Sequence, residues 1–567
     1  MKAFYSEVYD EWKTRLSNSA DGQILREMSL DEIEDAFSGN LAFGTGGLRG
    51  IMGLGTNRMN RYTVERVTHG LAKTVLSGAF PKSVGVAYDI RHNSAGFAKN
   101  VCDILCAYGI DVHVFDKPMP TPALSFAIRF LNLGWGIVIT ASHNPREYNG
   151  YKVYDNKGIQ LTDYLAAEVS RAVETIEYFK PVPKGKHAQI SIFAPEVEAA
   201  YIEQIVSYAT RTQAANDPTP ITNGCSTPAT RTPLPPIIPN SEFQIPNSRT
   251  KLPLVYSALH GTGANAIPAV LKNLGFSPLL VQQNPDGDFG GIETPNPEEP
   301  EVYEKALKEA EKTGAKLLCA TDPDCDRVGV MVKTEQGFKM LNGNQIGALL
   351  IDYLAQTLGV SIGDTIISTV VSGVLGELIA KSYGLEFVRL LTGFKYIGEY
   401  AEQLPVDKKF FFGYEESYGY LAGDGARDKD AVISSALIAQ MAGYYDQRGM
   451  TLIDRWHELS QKHGYCLEAL RSINIPQSEQ KEIMSRLRSG LSLEGLIRTE
   501  DYLPGLNGLP PSDVLKFYFE DGSWAAIRPS GTEPKIKLYT GVCADTYEKA
   551  TTALDTIGTN LLAVLEE

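Results

Sequence analysis

The chain has 567 residues, 43% hydrophobic and 21% charged, with a formal net charge of −15. At about 150 residues per domain this allows three or four soluble globular domains. The acidic balance argues against nucleic acid or an anionic membrane as the main partner, since both need broad basic faces, but it leaves room for a small anionic substrate held by a local cluster of Arg and Lys.

In chain order, the opening MKAFYSEVYDEWKTRL has no apolar h-region, so no secretory signal is expected, and no run approaches 18 apolar residues, so no membrane span is expected. SVGVAY, DVHVF and GIVIT read as strands, and SAGFAKNVCDILCAYG between them has helical spacing and stops at glycine. The alternation recurs in PLVYSAL, IPAVLKNLG and PLLVQ, then in QIGALLIDYLAQTLG and DTIISTVV. This is an α/β chain with parallel or mixed sheets, and the repeated βαβ units suggest related domains. The end differs: VLKFYFEDGSWAAIRPSGTEPKIKLYTGV is strand-rich and TYEKATTALDTIGTNLLAVLEE is a closing helix, a smaller α+β domain. Cysteines at 102, 106, 225, 319, 325, 466 and 543 form no C-x-x-C pair and no disulfide-like framework, which fits a reducing cytoplasm.

Three motifs are decoys when read in context. GVSIG (359–363) matches a nucleophile elbow, but a helix precedes it and a strand follows, the reverse of what the elbow needs. GTGANA (261–266) follows a strand and opens a helix like a dinucleotide fingerprint, yet the next strand ends in Gln282 and Gln283 and not in an acid; it binds a phosphate or simply turns tightly. DPDCDR (322–327) begins like an EF-hand loop but has Arg327 and Lys333 at the required Gly and Glu positions. It reads as a strand–loop–strand metal loop or a solvated acidic turn. The metal reading is favoured, because three crowded carboxylates repel unless a hard cation such as Mg²⁺ separates them.

Four further loops carry unusual polar chemistry. TASHNP (140–145) places Ser142 and His143 after an apolar strand; FGTGGLRG (43–50) combines glycines with Arg49; FFGYEESYGY (411–420) offers Glu415 and Ser417; IRPSGTEPKIKLY (527–539) gathers Arg528, Ser530, Gly531, Thr532 and Lys537 around one turn as a phosphate cradle. Adjacent strand residues face opposite sides, so His143 is expected to hold the loop or the substrate and not to act as a base on Ser142.

TASHNP, DPDCDR, GYEES and RPSGTEPK, in this order, resemble the α-D-phosphohexomutase superfamily, which includes phosphoglucomutases and phosphomannomutases. FGTGGLRG and TGFK (392–395) fit as well, and GTNRMNRYTVERV and SHNPREYNGYKVY are most similar to the branch holding bacterial α-phosphoglucomutases and animal phosphoglucomutase-2 type enzymes. The resemblance spans nearly the whole chain apart from 210–250.

The resemblance implies three α/β domains with mixed sheets plus a C-terminal α+β domain around a central cleft, each giving one loop: 1–207 the phosphoserine loop, 208–338 the metal loop, 339–452 the sugar loop, 453–567 the phosphate loop. It implies that Ser142 carries a phosphoryl group, that Asp322, Asp324 and Asp326 with Ser142 hold one Mg²⁺, and that Lys395 is an acid–base or substrate-contacting lysine. His143, Arg49, Lys152 and Arg327 would surround the reacting phosphate, Glu415 and Ser417 the sugar hydroxyls, and Arg528, Ser530, Gly531, Thr532 and Lys537 the other phosphate. The implied reaction interconverts glucose 1-phosphate and glucose 6-phosphate through glucose 1,6-bisphosphate, in a monomer or weak oligomer. Phosphopentomutase, phosphomannomutase and a non-catalytic phosphosugar-binding homologue are the alternatives. Two departures stand out: Pro323 and Cys325 replace the glycines of the family's D-G-D-G-D-R, and Gly46 stands where the family often has Ser.

Residues 210–250, rich in Pro, Thr, Asn and Ser, read as a long irregular surface insertion. Deleting them is expected to leave soluble yield and activity nearly unchanged; a large loss of either overturns that reading.

Overall fold

A computed structural model of the chain describes residues 2–44, 47–184, 188–214, 252–490, 493–530 and 535–566. Strands β1 (Gly47–Ile51), β2 (Ser83–Tyr88), β3 (Asp111–Val114), β4 (Trp135–Ile139), β5 (Tyr148–Tyr154) and β6 (Ile190–Ile192) form the first sheet, in the order 1-5-4-2-3-6. β2 and β4 are parallel and almost wholly buried, which is why SVGVAY and WGIVI are unbroken apolar runs and do not alternate. β7 (Leu254–Ser257), β8 (Leu279–Val281), β9 (Leu317–Thr321), β10 (Val328–Thr334) and β11 (Gly337–Leu341) form the second sheet, 11-10-9-7-8. β12 (Asp364–Thr369), β13 (Glu386–Leu390), β14 (Lys409–Glu415) and β15 (Gly419–Ala422) form the third, 13-12-14-15. β16 (Tyr465–Asn474), β17 (Leu496–Asp501), β18 (Leu515–Phe519), β19 (Trp524–Pro529) and β20 (Lys535–Ala544) form a fully antiparallel fourth sheet, 16-20-19-18-17, backed by the helix Tyr547–Glu566.

The first three sheets share a device. Each joins parallel strands to an antiparallel hairpin, β4–β5, β9–β10 and β14–β15, and the second sheet adds a further one, β10–β11. The turns of those three hairpins are residues 140–147, 322–327 and 416–418, and β19 and β20 pair antiparallel on either side of the phosphate-cradle motif. TASHNP, DPDCDR and GYEES are thus all hairpin connections.

One hydrophobic core runs through the first three domains, from Ala87 and Phe126 through Tyr201 and Val270 to Leu437 and Trp456. Its centre is the helix Ala431–Asp446, which is apolar on every face and buried accordingly. Asp430 caps that helix, accepting from the N–H groups of Val432 (2.9 Å) and Ile433 (3.1 Å) and from the Tyr201 hydroxyl (2.9 Å). The fourth domain has its own core around Phe517 and Ile527 and meets the third through Val370, Leu391, Trp524 and Tyr539.

Two expectations need correction. The helix Pro195–Ala214 continues past Thr210, and Thr212 is buried against Gln440 (3.0 Å) and Tyr353 (3.1 Å); the Thr and Arg that look loop-like in sequence complete a packed turn. The dispensable part of 210–250 therefore starts no earlier than 215, and residues 215–251 lie outside the described residues. Secondly, Cys466 and Cys543 form a disulfide. They are 77 residues apart, and only the β16–β20 register sets them directly opposite one another. Cys102 and Cys106, by contrast, are buried free thiols.

Two ionisable groups lie at the junction of the third and fourth domains. Lys516 donates to the Val370 carbonyl (2.5 Å), and burial pulls its ammonium down to about 7. Glu468 accepts from the Asn344 amide (3.2 Å), and burial pushes its carboxyl up to about 7. A raised carboxyl favours the folded state most where it is protonated, so this contribution is complete below about 4.5 and is lost as pH rises through 7. Glu468→Gln is expected to melt above the wild type at pH 8, with the gap shrinking as pH falls to 6. Differential scanning calorimetry at the two pH values checks this, and a gap independent of pH would sink it.

Candidate active site

The apolar strand β4 ends at Ile139, and the chain turns sharply. Thr140 Oγ1 accepts the Ser142 N–H (2.9 Å), and Ser142 adopts a left-handed conformation, φ 53°. That conformation costs a non-glycine residue on the order of 1 kcal/mol, so something must hold it. Arg91 does so. Buried at 3% exposure, it donates to the carbonyls of Ser142 (2.6 Å), Asn144 (2.5 Å), Pro145 (2.8 Å) and Tyr148 (3.1 Å), and it ion-pairs with Asp89 (3.2 Å). Phe289 of the second domain covers its guanidinium, 4.9 Å from ring centroid to Cζ.

The turn also revises the expectation for His143. Because Ser142 has left the extended conformation, the two side chains do not point apart: Ser142 Oγ lies 3.3 Å from His143 Nδ1. Burial, with Arg327 and Arg49 nearby, lowers the imidazole well below its ordinary range, so it is neutral at pH 7.

Ser142 Oγ donates to Asp322 Oδ2 at 2.9 Å, joining the first loop to the second. Asp322, Asp324 and Asp326 are buried, and each offers a carboxylate oxygen within 4.8 Å of the others. The protein satisfies only part of this set. Asp322 Oδ1 accepts the N–H groups of Asp326 and Arg327 (3.0 Å each); Asp324 Oδ2 accepts from Thr121 and Lys152 (2.8 Å each). Asp326 Oδ2 lies 3.3 Å from both Lys152 and Lys429. Asp324 Oδ1 and Asp326 Oδ1 are buried with no hydrogen-bond partner among the described residues. Half-satisfied buried carboxylates converging on one point fit a hard divalent cation. Burial and its two neighbours raise Asp322 well above the usual range; against burial, Lys429, Lys152 and Arg327 hold Asp326 far below it.

The substituted glycines do not undo the loop. Cys325 takes the left-handed conformation glycine would favour (φ 57°), its N–H bonded to the Asp322 carbonyl (2.9 Å). GTGANA proves to be its support. Thr262 donates twice to the Pro323 carbonyl, and a Cβ on Gly261 would lie 2.5 Å from Pro323 Cα. The glycines there serve close packing of one turn on another.

Around the aspartates stand Lys152, Lys429, Arg49 and Arg327. Arg49 donates to Asn144 Oδ1 (2.9 Å), and Arg327 pairs with Glu298 (2.7 Å). The third loop follows: Glu415 is buried and accepts the Gly393 N–H (2.7 Å), which ties GYEES to TGFK; Ser417 lies half-buried in the turn. Lys395 is buried and bonds Asp163 (2.7 Å), whose other oxygen takes the Tyr396 hydroxyl (2.7 Å). In the fourth domain Arg528 donates to Thr392 Oγ1, so that loop reaches the TGFK turn of the third. Arg528 and Lys537 are cross-strand partners on one face, and Ser530 N–H bonds the Lys535 carbonyl (2.8 Å). Gly531, Thr532 and Gly46 lie outside the described residues.

Four segments match the domains of one family, Phosphoglucomutase/phosphomannomutase: alpha/beta/alpha domain I at 40–180, domain II at 238–337, domain III at 342–462 and the C-terminal domain at 477–557. A phosphoglucomutase from Staphylococcus haemolyticus is 34% identical over 566 residues, 95% of this chain and 97% of its own. The chain belongs to the phosphoglucomutase/phosphomannomutase family. As such it is an enzyme of the intramolecular phosphotransferase class. The fold agrees with solved structures of low identity. The Paramecium pp63/parafusin phosphoglucomutase in its open form aligns with TM-score 0.69 at 18% identity (93% of this chain, 95% of that one). A phosphoglucomutase/phosphomannomutase family protein from Burkholderia thailandensis gives 0.67 at 18% (92% and 96%).

In this family member the site includes residues that motif reading passed over. Arg91 lies in DIRHN, directly after β2, the parallel neighbour of β4; adjoining strand ends are where open α/β sheets gather their sites. Lys429 lies in GARDKDAV, where four charges stand immediately ahead of an apolar helix, a signal of buried charge. Lys429 and Lys152, but not Lys395, are the lysines that touch the aspartates among the described contacts.

Proposed function

We propose that the protein interconverts glucose 1-phosphate and glucose 6-phosphate, with Ser142 carrying the phosphoryl group and glucose 1,6-bisphosphate as intermediate. The observation that carries this is the 2.9 Å bond from Ser142 Oγ to Asp322, in a loop whose backbone Arg91 holds in place. A serine so fixed, beside three carboxylates of which two have an open oxygen and ringed by cations, suits a transfer that depends on positioning and electrostatics.

Asp322, Asp324 and Asp326 would hold one Mg²⁺ near Ser142 Oγ. A hard cation bound there supplies neutralisation of charge on the phosphoryl oxygens. The chain's own groups do the rest. Lys152 and Lys429 both sit above the ordinary lysine range because neighbouring aspartates outweigh burial, so they act as fixed positive charges and not as bases. Neutral His143, with Nδ1 3.3 Å from Ser142 Oγ, would help hold the serine side chain and the loop in place. Arg49 and Arg327 add charge around the reacting phosphate. Glu415 and Ser417 would meet sugar hydroxyls, and Arg528, Ser530, Gly531, Thr532 and Lys537 the distal phosphate. Lys395, tied to Asp163, would contact substrate from the TGFK turn. One chain supplies every loop, so a monomer suffices.

The test is mutase activity on glucose 1-phosphate, mannose 1-phosphate and ribose 1-phosphate, with Mg²⁺ and a trace of glucose 1,6-bisphosphate. Glucose 1-phosphate is expected to turn over fastest, Ser142→Ala to fall to background, and Lys429→Met to lose on the order of 10²–10³-fold in kcat. Faster turnover of another sugar reassigns the substrate. No turnover by folded, Ser142-phosphorylated protein makes it a phosphosugar-binding homologue instead.

A further inference from the structure

The segment TPNPEEP (294–300) belongs to none of the four hairpin loops, yet it delivers a carboxylate to the site. Its backbone is fixed at several points. Asn296, itself buried, accepts the Glu298 N–H through Oδ1 (3.2 Å) and the Glu299 N–H through its carbonyl (3.0 Å). The Pro297 carbonyl takes the Tyr303 hydroxyl (3.0 Å) and presses on Gly329, where a Cβ would come within 2.3 Å of it. Glu298 is therefore presented from a rigid mount, and its Oε1 accepts from Arg327 Nη1 at 2.7 Å.

The other side of the same guanidinium faces the aspartates. Arg327 Nε lies 3.9 Å from Asp326 Oδ1, and both atoms are buried without a hydrogen-bond partner among the described residues. A guanidinium and a carboxylate free to meet close to about 2.8 Å. Here the fork is drawn the other way, towards Glu298. Were it released, it would satisfy Asp326 Oδ1 and occupy one of the two oxygens that the aspartate cluster leaves open.

We propose that Glu298 is a positioning residue that holds Arg327 off the aspartate cluster, keeping Asp326 Oδ1 available to a divalent cation. This rests on the reading that Asp322, Asp324 and Asp326 bind such a cation.

The test is Mn²⁺ binding to the full chain without substrate, read by electron paramagnetic resonance of free Mn²⁺. It compares wild type, Asp324→Asn, Glu298→Gln, Arg327→Met and the Glu298→Gln/Arg327→Met double variant, each checked for a native melting curve. Wild type is expected to bind, Asp324→Asn to lose binding, and Glu298→Gln to bind about tenfold more weakly. The double variant is expected to recover the affinity of Arg327→Met, because no guanidinium is left to intrude. Glu298→Asp, with a shorter reach, should fall between wild type and Glu298→Gln, and it carries the comparison if Glu298→Gln does not fold. Glu298→Gln binding within twofold of wild type overturns the proposal. So does a loss that persists in the double variant, which would mean that Glu298 acts on the cation by charge alone. Wild type that fails to bind, or binding indifferent to Asp324→Asn, overturns the cluster reading and the proposal with it.

Discussion

Three carboxylates buried within a few ångströms of one another set the terms for this molecule. Two like charges 4 Å apart repel by about 4 kcal/mol even at an effective dielectric near 20, and desolvation adds to that cost. The compensation is distributed: Lys152 comes from the first domain, Arg327 from the second and Lys429 from the third. The second domain, which bears the cluster, supplies only Arg327 of these cations; the others reach it from the first and third domains. The closed arrangement of three domains is therefore an electrostatic requirement as well as a hydrophobic one, and the buried helix Ala431–Asp446 meets both, filling the shared core while Lys429 stands two residues ahead of its first turn.

The hairpin turns show how one solution was used three times. Ser142, Cys325 and Tyr418 each occupy a left-handed conformation in the connection of an antiparallel hairpin, with φ values of 53°, 57° and 62°. A tight turn at the end of a buried strand throws its polar groups out of the sheet into the space between domains. The strain is modest per residue, and each turn is braced from outside: Arg91 braces the first, the 261–263 turn the second, and the bond from the Val328 N–H to the Tyr418 carbonyl ties the third to the second. The loops are rigid because they lean on one another.

Much of this was legible in the chain. The buried parallel strands announced themselves as unbroken apolar runs, and TASHNP, DPDCDR and GYEES stood out because polar residues crowd where those runs stop. What stayed hidden was pairing at a distance. The orientation of His143 followed from a left-handed φ that no local pattern encodes. Cys466 and Cys543 met through a strand register, Arg91 and Lys429 work through partners about 50 and 100 residues away, and Glu298 through one 29 residues further along its own domain. Sequence patterns report the face a residue turns within its own element; they are silent on which foreign element will lie against it.

The Cys466–Cys543 bond turns the fourth domain into a covalent ring. β17, β18, β19 and Ser530 all lie inside it, while the helix Tyr547–Glu566, which backs the sheet, follows it in the chain. A pull transmitted along the backbone from the third domain would pass from 466 to 543 through sulfur and bypass the 76 residues between. The ring also limits how far the chain can spread when it unfolds, worth about 4.5 kcal/mol by loop-closure entropy. The fourth domain is thus the one whose chain is least able to come apart piecemeal.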